Sequence, residues 1–307
     1  MISSPRSRRP NAPRAWRRRT NVTDLTVRQA LQKATARLSA SGCSSALNDA
    51  SSLLAHHLGI DRSRLFFHHG DVLPRPEAFD QLLSRRAARE PLQHILGSAA
   101  FGPLDLAVGP GVFIPRPETE VLAEWAVQRL EDMMHAGIAA PRVVDLCTGS
   151  GALACWIAAA VPQARVSAVE LSARAREYTT QNASTYPNLE VLAGDATDPQ
   201  LLRALDGQVD LIVTNPPYVP EGSVVEPEVA ADPHAAVFAG ADGMSVIEPM
   251  IPVLARLLRP GGAVGIEHDD ATSQLVRDAL DRYGAFSPAE VLDDLNGIHR
   301  FAIAFRN

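Results

Sequence analysis

The tetrapeptide Asn215-Pro216-Pro217-Tyr218 offers the most readable chemistry in the chain. It follows Val209-Asp210-Leu211-Ile212-Val213-Thr214, an apolar run that reads as a buried strand, and strand ends are where α/β sheets place ligands. Two consecutive prolines lack backbone N–H groups and fix φ. They leave a rigid turn whose carbonyl oxygens face outward beside an uncharged amide side chain. That combination is an acceptor clamp for an NH2 group. A strand-to-loop turn that merely holds two prolines is the bland alternative.

A second constellation lies upstream. Asp145-Leu146-Cys147-Thr148-Gly149-Ser150-Gly151 ends an earlier predicted strand and opens onto the helix beginning Ala152-Leu153-Ala154, and small residues there let the backbone approach a ligand closely. Gly149-x-Gly151-x-x-Ala154 also satisfies the dinucleotide fingerprint, and Glu170 closes the next strand where a ribose-binding acid belongs, so an NAD site competes. Asp145 tilts the balance toward S-adenosyl-L-methionine. Its carboxylate can accept from a cofactor amino group or orient the loop, whereas a pyrophosphate disfavours an anion so near. Asp195 ends a third strand in Ala193-Gly194-Asp195-Ala196, placed either to grip an adenine edge or only to cap the strand.

The elements that position these residues follow from periodicity. Apolar residues recur at three- and four-residue steps from Thr23 to Arg89, which predicts a small helical domain over 23–91. Residues 92–116 shift to glycine-punctuated extended segments, Phe101 to Val108 and Val112 to Ile114, which suit a β-hairpin linker. A helix then starts at Arg116-Pro117-Glu118, with proline and acids at its positive end. Over 117–307 strands and helices alternate, which predicts an α/β domain with a mostly parallel, doubly wound sheet.

Composition bounds the partners. The 307 residues are 46% hydrophobic, enough for one large and one small domain, and no apolar run reaches the length of a membrane span. Seven arginines and no acid lie in residues 1–20, so 1–22 is expected to be a disordered tail; without them the net charge of -6 becomes -13. An acidic body argues against a direct nucleic-acid substrate, because neutralising phosphates needs clustered cations. Cys43, Cys147 and Cys155 lack zinc or redox spacing, and a reducing cytoplasm is the expected compartment. His56-His57 and His68-His69 have no second ligand pair at metal spacing, so no metal is expected.

Taken with Glu90-Pro91-Leu92-Gln93-His94-Ile95-Leu96-Gly97, Phe113-Ile114-Pro115-Arg116-Pro117-Glu118-Thr119-Glu120 and Gly240-Ala241-Asp242-Gly243, these motifs make the chain resemble the PrmC/HemK family of protein-(glutamine-N5) methyltransferases from about Thr23 to the C-terminus. The resemblance implies a helical N-terminal domain that recognises class I peptide chain release factors, a hairpin linker and a class I, Rossmann-like methyltransferase domain. It implies S-adenosyl-L-methionine at Cys147, Thr148, Gly149, Ser150 and Gly151, with Glu170 on the ribose and Asp195 and Ala196 beside the adenine. The target glutamine of a Gly-Gly-Gln motif would lie at Asn215, Pro216, Pro217 and Tyr218. A monomer is expected.

Three positions depart from the family pattern. Cys147 stands where glycine is usual, tolerable if its φ is negative; Glu170 replaces the commoner Asp; and Ala196 replaces a frequent aromatic. In this reading the Asn215 side-chain oxygen and the Pro216 carbonyl accept the two N–H bonds of the amide, Tyr218 packs on its plane, and Phe113 forms either the opposite wall or part of the core. Glu226, Glu228 and Asp232 read as a solvated, substrate-facing lid, and Trp125 and Trp156 as core. Rival readings are a ribosomal-protein glutamine methyltransferase, an N6-adenine methyltransferase, since such enzymes carry a similar tetrapeptide, and a silent release-factor-binding protein.

Overall fold

Thr26 opens the first helix. Its hydroxyl accepts from the Gln29 N–H at 3.3 Å while the Gln29 side chain accepts from the Thr26 N–H at 3.0 Å, a reciprocal cap. The helices α1 (Val27–Ala40), α2 (Ala46–Leu58) and α3 (Pro76–Ala87), with a 3-10 turn at Arg62–His68, bury Leu38, Leu53 and Leu54 completely. A buried ion pair, Arg86 Nε to Asp49 at 2.7 Å, ties α3 to α2. This computed structural model describes residues 25–307, so the expected tail over 1–22 lies outside the described residues. The chain divides into two compact units, Met1–Ala87 and Ala88–Asn307.

The second unit begins with a short helix, α4 (Leu92–Leu96), where extended chain was expected, and with the antiparallel hairpin β1 (Ser98–Phe101) and β2 (Leu104–Ala107). The two-residue turn falls at Gly102-Pro103 and not beyond Val108, because Gly102 takes φ +52 and Pro103 cannot donate to a ladder. Val112 to Ile114 forms no strand. Pro110 and the positive φ of Gly111 break the extended run, yet Val112 and Ile114 remain buried against Ala99, Val108 and Ala175.

The remaining elements are α5 (Thr119–His135), β3 (Arg142–Leu146), α6 (Ala152–Ala160), β4 (Arg165–Glu170), α7 (Ala173–Ala183), β5 (Leu189–Ala193), β6 (Val209–Thr214), α8 (His234–Val237), α9 (Ile247–Leu257), β7 (Leu258–Glu267), α10 (Ser273–Tyr283), β8 (Glu290–Asp293) and β9 (His299–Phe305). The seven strands run in the order β5-β4-β3-β6-β7-β9-β8. Neighbours from β5 to β7 pair in parallel, and β9 lies antiparallel to both β7 and β8. Alternate side chains feed two cores, as a sheet covered on both faces requires: Val144, Leu146 and Ile212 join α9 and α10, while Val143, Leu211 and Val213 join α5 and α6.

The hairpin belongs to the second of these cores. Phe101 is fully buried and meets the Trp156 ring of α6 edge-on at 5.2 Å, and a Cβ on Gly102 would strike that same ring at 2.0 Å. Phe101→Ala is therefore expected to cost about 3–5 kcal/mol, read as a lowered midpoint in urea unfolding; a midpoint unchanged from wild type would show that the hairpin does not contribute to the core.

Candidate active site

Strand register sets the site. Val169 of β4 lies opposite Leu146 of β3, Leu146 opposite Thr214 of β6, and Thr214 opposite Ile266 of β7. The next residue on each strand, Glu170, Cys147, Asn215 and Glu267 in that order, therefore stands at the same carboxyl edge. That edge contains the switch point between β3 and β6, where the strand order reverses and ligands bind.

A cavity of about 540 Å³ opens there, within the ~300–1,000 Å³ usual for small-molecule sites. Every cofactor residue read from the sequence lines it except Gly151, which starts α6 at φ +86 with Thr179 so close that a Cβ would meet its methyl at 3.0 Å. Asp145 is buried at the base. Its Oδ2 accepts from the Thr148 hydroxyl at 2.5 Å and from the Ala154 N–H at 3.1 Å, so one carboxylate oxygen fixes the loop and caps α6. Its Oδ1 is buried without a partner, an acceptor that suits an amino-bearing ligand in the cavity. Burial pushes the Asp145 pKa up to about 7, and Glu170 adds to the rise.

Glu170 accepts from the Gly149 N–H at 2.9 Å and the Ser172 N–H at 2.8 Å. Each oxygen retains a second lone pair, which suits a pair of ribose hydroxyls. Asp195 uses Oδ1 for its own turn, accepting from the Thr197 N–H and hydroxyl at 2.8 and 2.7 Å. The condition set for Cys147 fails: its φ is +58, in the left-handed region, at a cost of about 1–2 kcal/mol relative to glycine. The loop adopts the glycine geometry regardless, because neighbouring side chains hold it. Thr179 donates to the Gly149 carbonyl at 2.6 Å and Asn182 to the Ser150 carbonyl at 2.9 Å. Sequence reading missed both, since polar residues spaced three apart on α7 look like an ordinary solvated face.

A second cavity of about 260 Å³ adjoins the first. Phe113, Asn215 and Pro217 line both, so they form the partition between them, and Pro216 and Tyr218 line the smaller one. Phe113 is half-buried in that wall, outside the apolar cores. Asn215 donates Nδ2–H to the Thr119 hydroxyl at 3.2 Å, while its Oδ1 accepts from no described residue. Tyr218 donates its hydroxyl to Glu267 Oε1 at 3.2 Å. The Gly240-to-Gly243 motif supports the same turn: Gly243, at φ +79, lies where a Cβ would come within 2.2 Å of the Tyr218 carbonyl oxygen. Thr119 and Glu267 had no role assigned from sequence, although Thr119 lies inside a motif singled out there.

The lid differs from expectation. Glu226 is exposed and borders the smaller cavity, but Asp232 is buried, pairs with Arg116 and accepts from the Ile114 N–H at 3.3 Å. Glu228 accepts from two nitrogens of the Arg89 guanidinium, Nε at 2.8 Å and Nη2. The Arg116 guanidinium also covers the Phe113 ring at 4.9 Å. Two of the three acids are thus ion-paired to arginines before α5, with Asp232 buried and Glu228 half-buried. Their arginine partners come from residues far earlier in the chain.

A doubly wound sheet with an antiparallel strand set beside β7, a cavity at its switch point and an acceptor turn in the wall define a class I, Rossmann-like methyltransferase. Residues 29–97 match the PrmC N-terminal domain family and residues 118–233 the methyltransferase small domain family. Release factor glutamine methyltransferases of Corynebacterium glutamicum and Mycolicibacterium smegmatis are 50% and 51% identical over 281 and 284 residues, covering 91% of this chain and 99% and 98% of theirs. The chain belongs to the release factor glutamine methyltransferase family, and its methyl donor is S-adenosyl-L-methionine. A solved release-factor-specific protein-(glutamine-N5) methyltransferase from Alicyclobacillus acidocaldarius aligns at 27% identity and a TM-score of 0.38, covering 65% of this chain and 98% of its own.

The raised pKa of Asp145 has a thermodynamic consequence. The folded state holds this proton more tightly than the unfolded state, so the contribution is complete at low pH and is lost as pH rises from about 4 through about 7. Asp145→Asn is expected to make the melting temperature less dependent on pH across that window in the ligand-free protein. An identical pH slope in the two proteins would refute the shift.

Proposed function

We propose that this chain transfers a methyl group from S-adenosyl-L-methionine to the side-chain amide nitrogen, N5, of the glutamine in the Gly-Gly-Gln motif of peptide chain release factors. The observation that carries this reading is the partition. Asn215 presents an unengaged oxygen in a wall shared by a cofactor-sized cavity and a smaller polar-edged one. Membership of the family supplies the class of substrate.

An amide nitrogen is a weak nucleophile because its lone pair is delocalised into the carbonyl. When bound, S-adenosyl-L-methionine supplies a methyl group on a positively charged sulfur. Asn215 Oδ1 and the Pro216 carbonyl accept the two N–H bonds of the glutamine, which directs its lone pair toward the larger cavity. Those hydrogen bonds strengthen as positive charge grows on nitrogen, which makes them catalytic and not merely binding contacts. Asn215 carries no charge at working pH and takes no proton itself: the N–C bond forms as the S–C bond breaks, the sulfur leaves neutral, and the methylated nitrogen, now strongly acidic, gives one of its two protons to water. Phe113 and Tyr218 flank the planar amide, and Asp145 and Glu170 hold the glycine-rich loop against the donor.

An N6-adenine substrate would present the same NH2 group to the same clamp. The acidic balance weighs against it: without the arginines of residues 1–20 the net charge is -13, whereas holding nucleic-acid phosphates needs clustered cations. We place recognition of the release factor on the helical unit and the reaction in the cytoplasm, where translation ends. The test incubates the full chain with methyl-labelled cofactor and a class I release factor, alongside the same factor with its motif glutamine changed to alanine. Label on the first and none on the second supports the reading, and label on neither refutes it.

Asn215→Ala is expected to lower kcat by about 100-fold or more while the cofactor Kd stays within a few-fold; retention of most turnover would remove the clamp. Glu170→Ala should act on the other cavity, weakening cofactor binding about tenfold or more as one partly buried hydrogen-bonding charge is lost. Calorimetry that returns the wild-type affinity would exclude Glu170 from the cofactor site.

A further inference from the structure

Glu267 ends β7 beside the start of the Asn215 turn, is 1% exposed, and belongs to neither cavity. Its Oε1 accepts from the Tyr218 hydroxyl at 3.2 Å, and its Oε2 is buried with no hydrogen bond of ordinary geometry. The Thr119 hydroxyl faces the same carboxylate and accepts from Asn215 Nδ2 at 3.2 Å. A buried carboxylate with two hydroxyls turned toward it, both belonging to the tetrapeptide or its neighbour, is more than the strand end needs.

We propose that Glu267 is a positioning residue that fixes the orientation of the Asn215 amide through Thr119 and holds Tyr218 through its hydroxyl. The inference rests on the proposed glutamine clamp and deepens it. A threonine hydroxyl has one proton and accepting lone pairs, and a carboxylate only accepts. With Glu267 ionised, the Thr119 proton points to Glu267 and its lone pair must take a donor from Asn215. That donor is Nδ2–H, so Oδ1 is turned into the wall of the substrate cavity. Reversing the polarity of the relay would present Asn215 Nδ2 to the glutamine NH2, donor against donor, and the clamp would repel its substrate.

Protonation of Glu267 introduces such a reversal. Burial pushes its pKa up to about 7; the Thr119 and Tyr218 hydroxyls and the Arg300 guanidinium on β9 oppose the rise, and Glu118 at the start of α5 adds to it. The active form is the ionised one, so wild-type kcat, measured at saturating cofactor, should fall as pH drops through about 7.

The experiment measures kcat, KM for the release factor, cofactor affinity and melting temperature for the wild type, Glu267→Gln, Glu267→Asp and Thr119→Val from pH 5.5 to 9. Glu267→Gln places an NH2 donor in the relay, and its kcat is expected to drop at least tenfold and lose the acidic limb while cofactor affinity holds within a few-fold. Glu267→Asp, which keeps an acceptor-only group, should retain more turnover than Glu267→Gln. Thr119→Val cuts the relay without touching Glu267 and should also lower kcat and flatten the limb. It decides the matter if Glu267→Gln fails to fold. A folded Glu267→Gln or Thr119→Val enzyme with wild-type kcat and wild-type pH profile overturns the inference and leaves the functional reading standing. A wild-type chain that labels no release factor overturns the functional reading, and the inference falls with it.

Discussion

Four parallel strands ending in register are the constraint on which the site depends. Parallel pairing forces every carboxyl end to one edge, and the alignment of Val169, Leu146, Thr214 and Ile266 leaves Glu170, Cys147, Asn215 and Glu267 as consecutive neighbours along it. A slip of one residue in any pair would turn that strand's side chains to the opposite face. Such a slip is opposed by the two apolar cores, which bury alternate residues of β3 and β6 on opposite faces of the sheet. Burying each Leu, Ile or Val side chain contributes about 1.5–3 kcal/mol, so catalytic register is maintained by packing far from the chemistry.

At that edge the polar side chains act mainly as braces. Asp145 spends one oxygen on Thr148 and Ala154, Glu170 holds Gly149 and Ser172, and Thr179 and Asn182 hold the carbonyls of Gly149 and Ser150. This explains how the loop tolerates Cys147 at a positive φ: several bonds over-determine the backbone, and the strain of one residue is small against them. The same device recurs at the tetrapeptide, where Thr119, Glu267 and Gly243 constrain the turn from three directions. Asp145 Oδ1 and Asn215 Oδ1 are left without a hydrogen-bond donor among the described residues, and both residues line the larger cavity.

The parts legible in the sequence were those encoded locally. Alternating strand and helix periodicity read out the doubly wound sheet, and the strands expected to close at Glu170 and at Thr214 end there in the structure. The hairpin was misplaced because Phe101 to Val108 is apolar enough to read as one strand, although the break at Gly102-Pro103 is a local turn signal. The lid was misread for a different reason, its distant partners. Asp232 and Glu228 look like solvated acids along the chain, whereas in the fold they pair with Arg116 and Arg89, more than a hundred residues away in sequence.

The sequence by itself determined the alternation that makes a doubly wound sheet, the glycine-rich turn at Asp145 to Gly151 and the donor-free tetrapeptide at Asn215 to Tyr218, because each follows from backbone sterics and periodicity within a short window. Only the tertiary structure decided which way the Asn215 amide faces, which acids are braces and which remain open to ligand, and that one wall separates two cavities. Those properties depend on partners brought together across the sheet, and a buried polar group's behaviour is set by the partner it finds after folding.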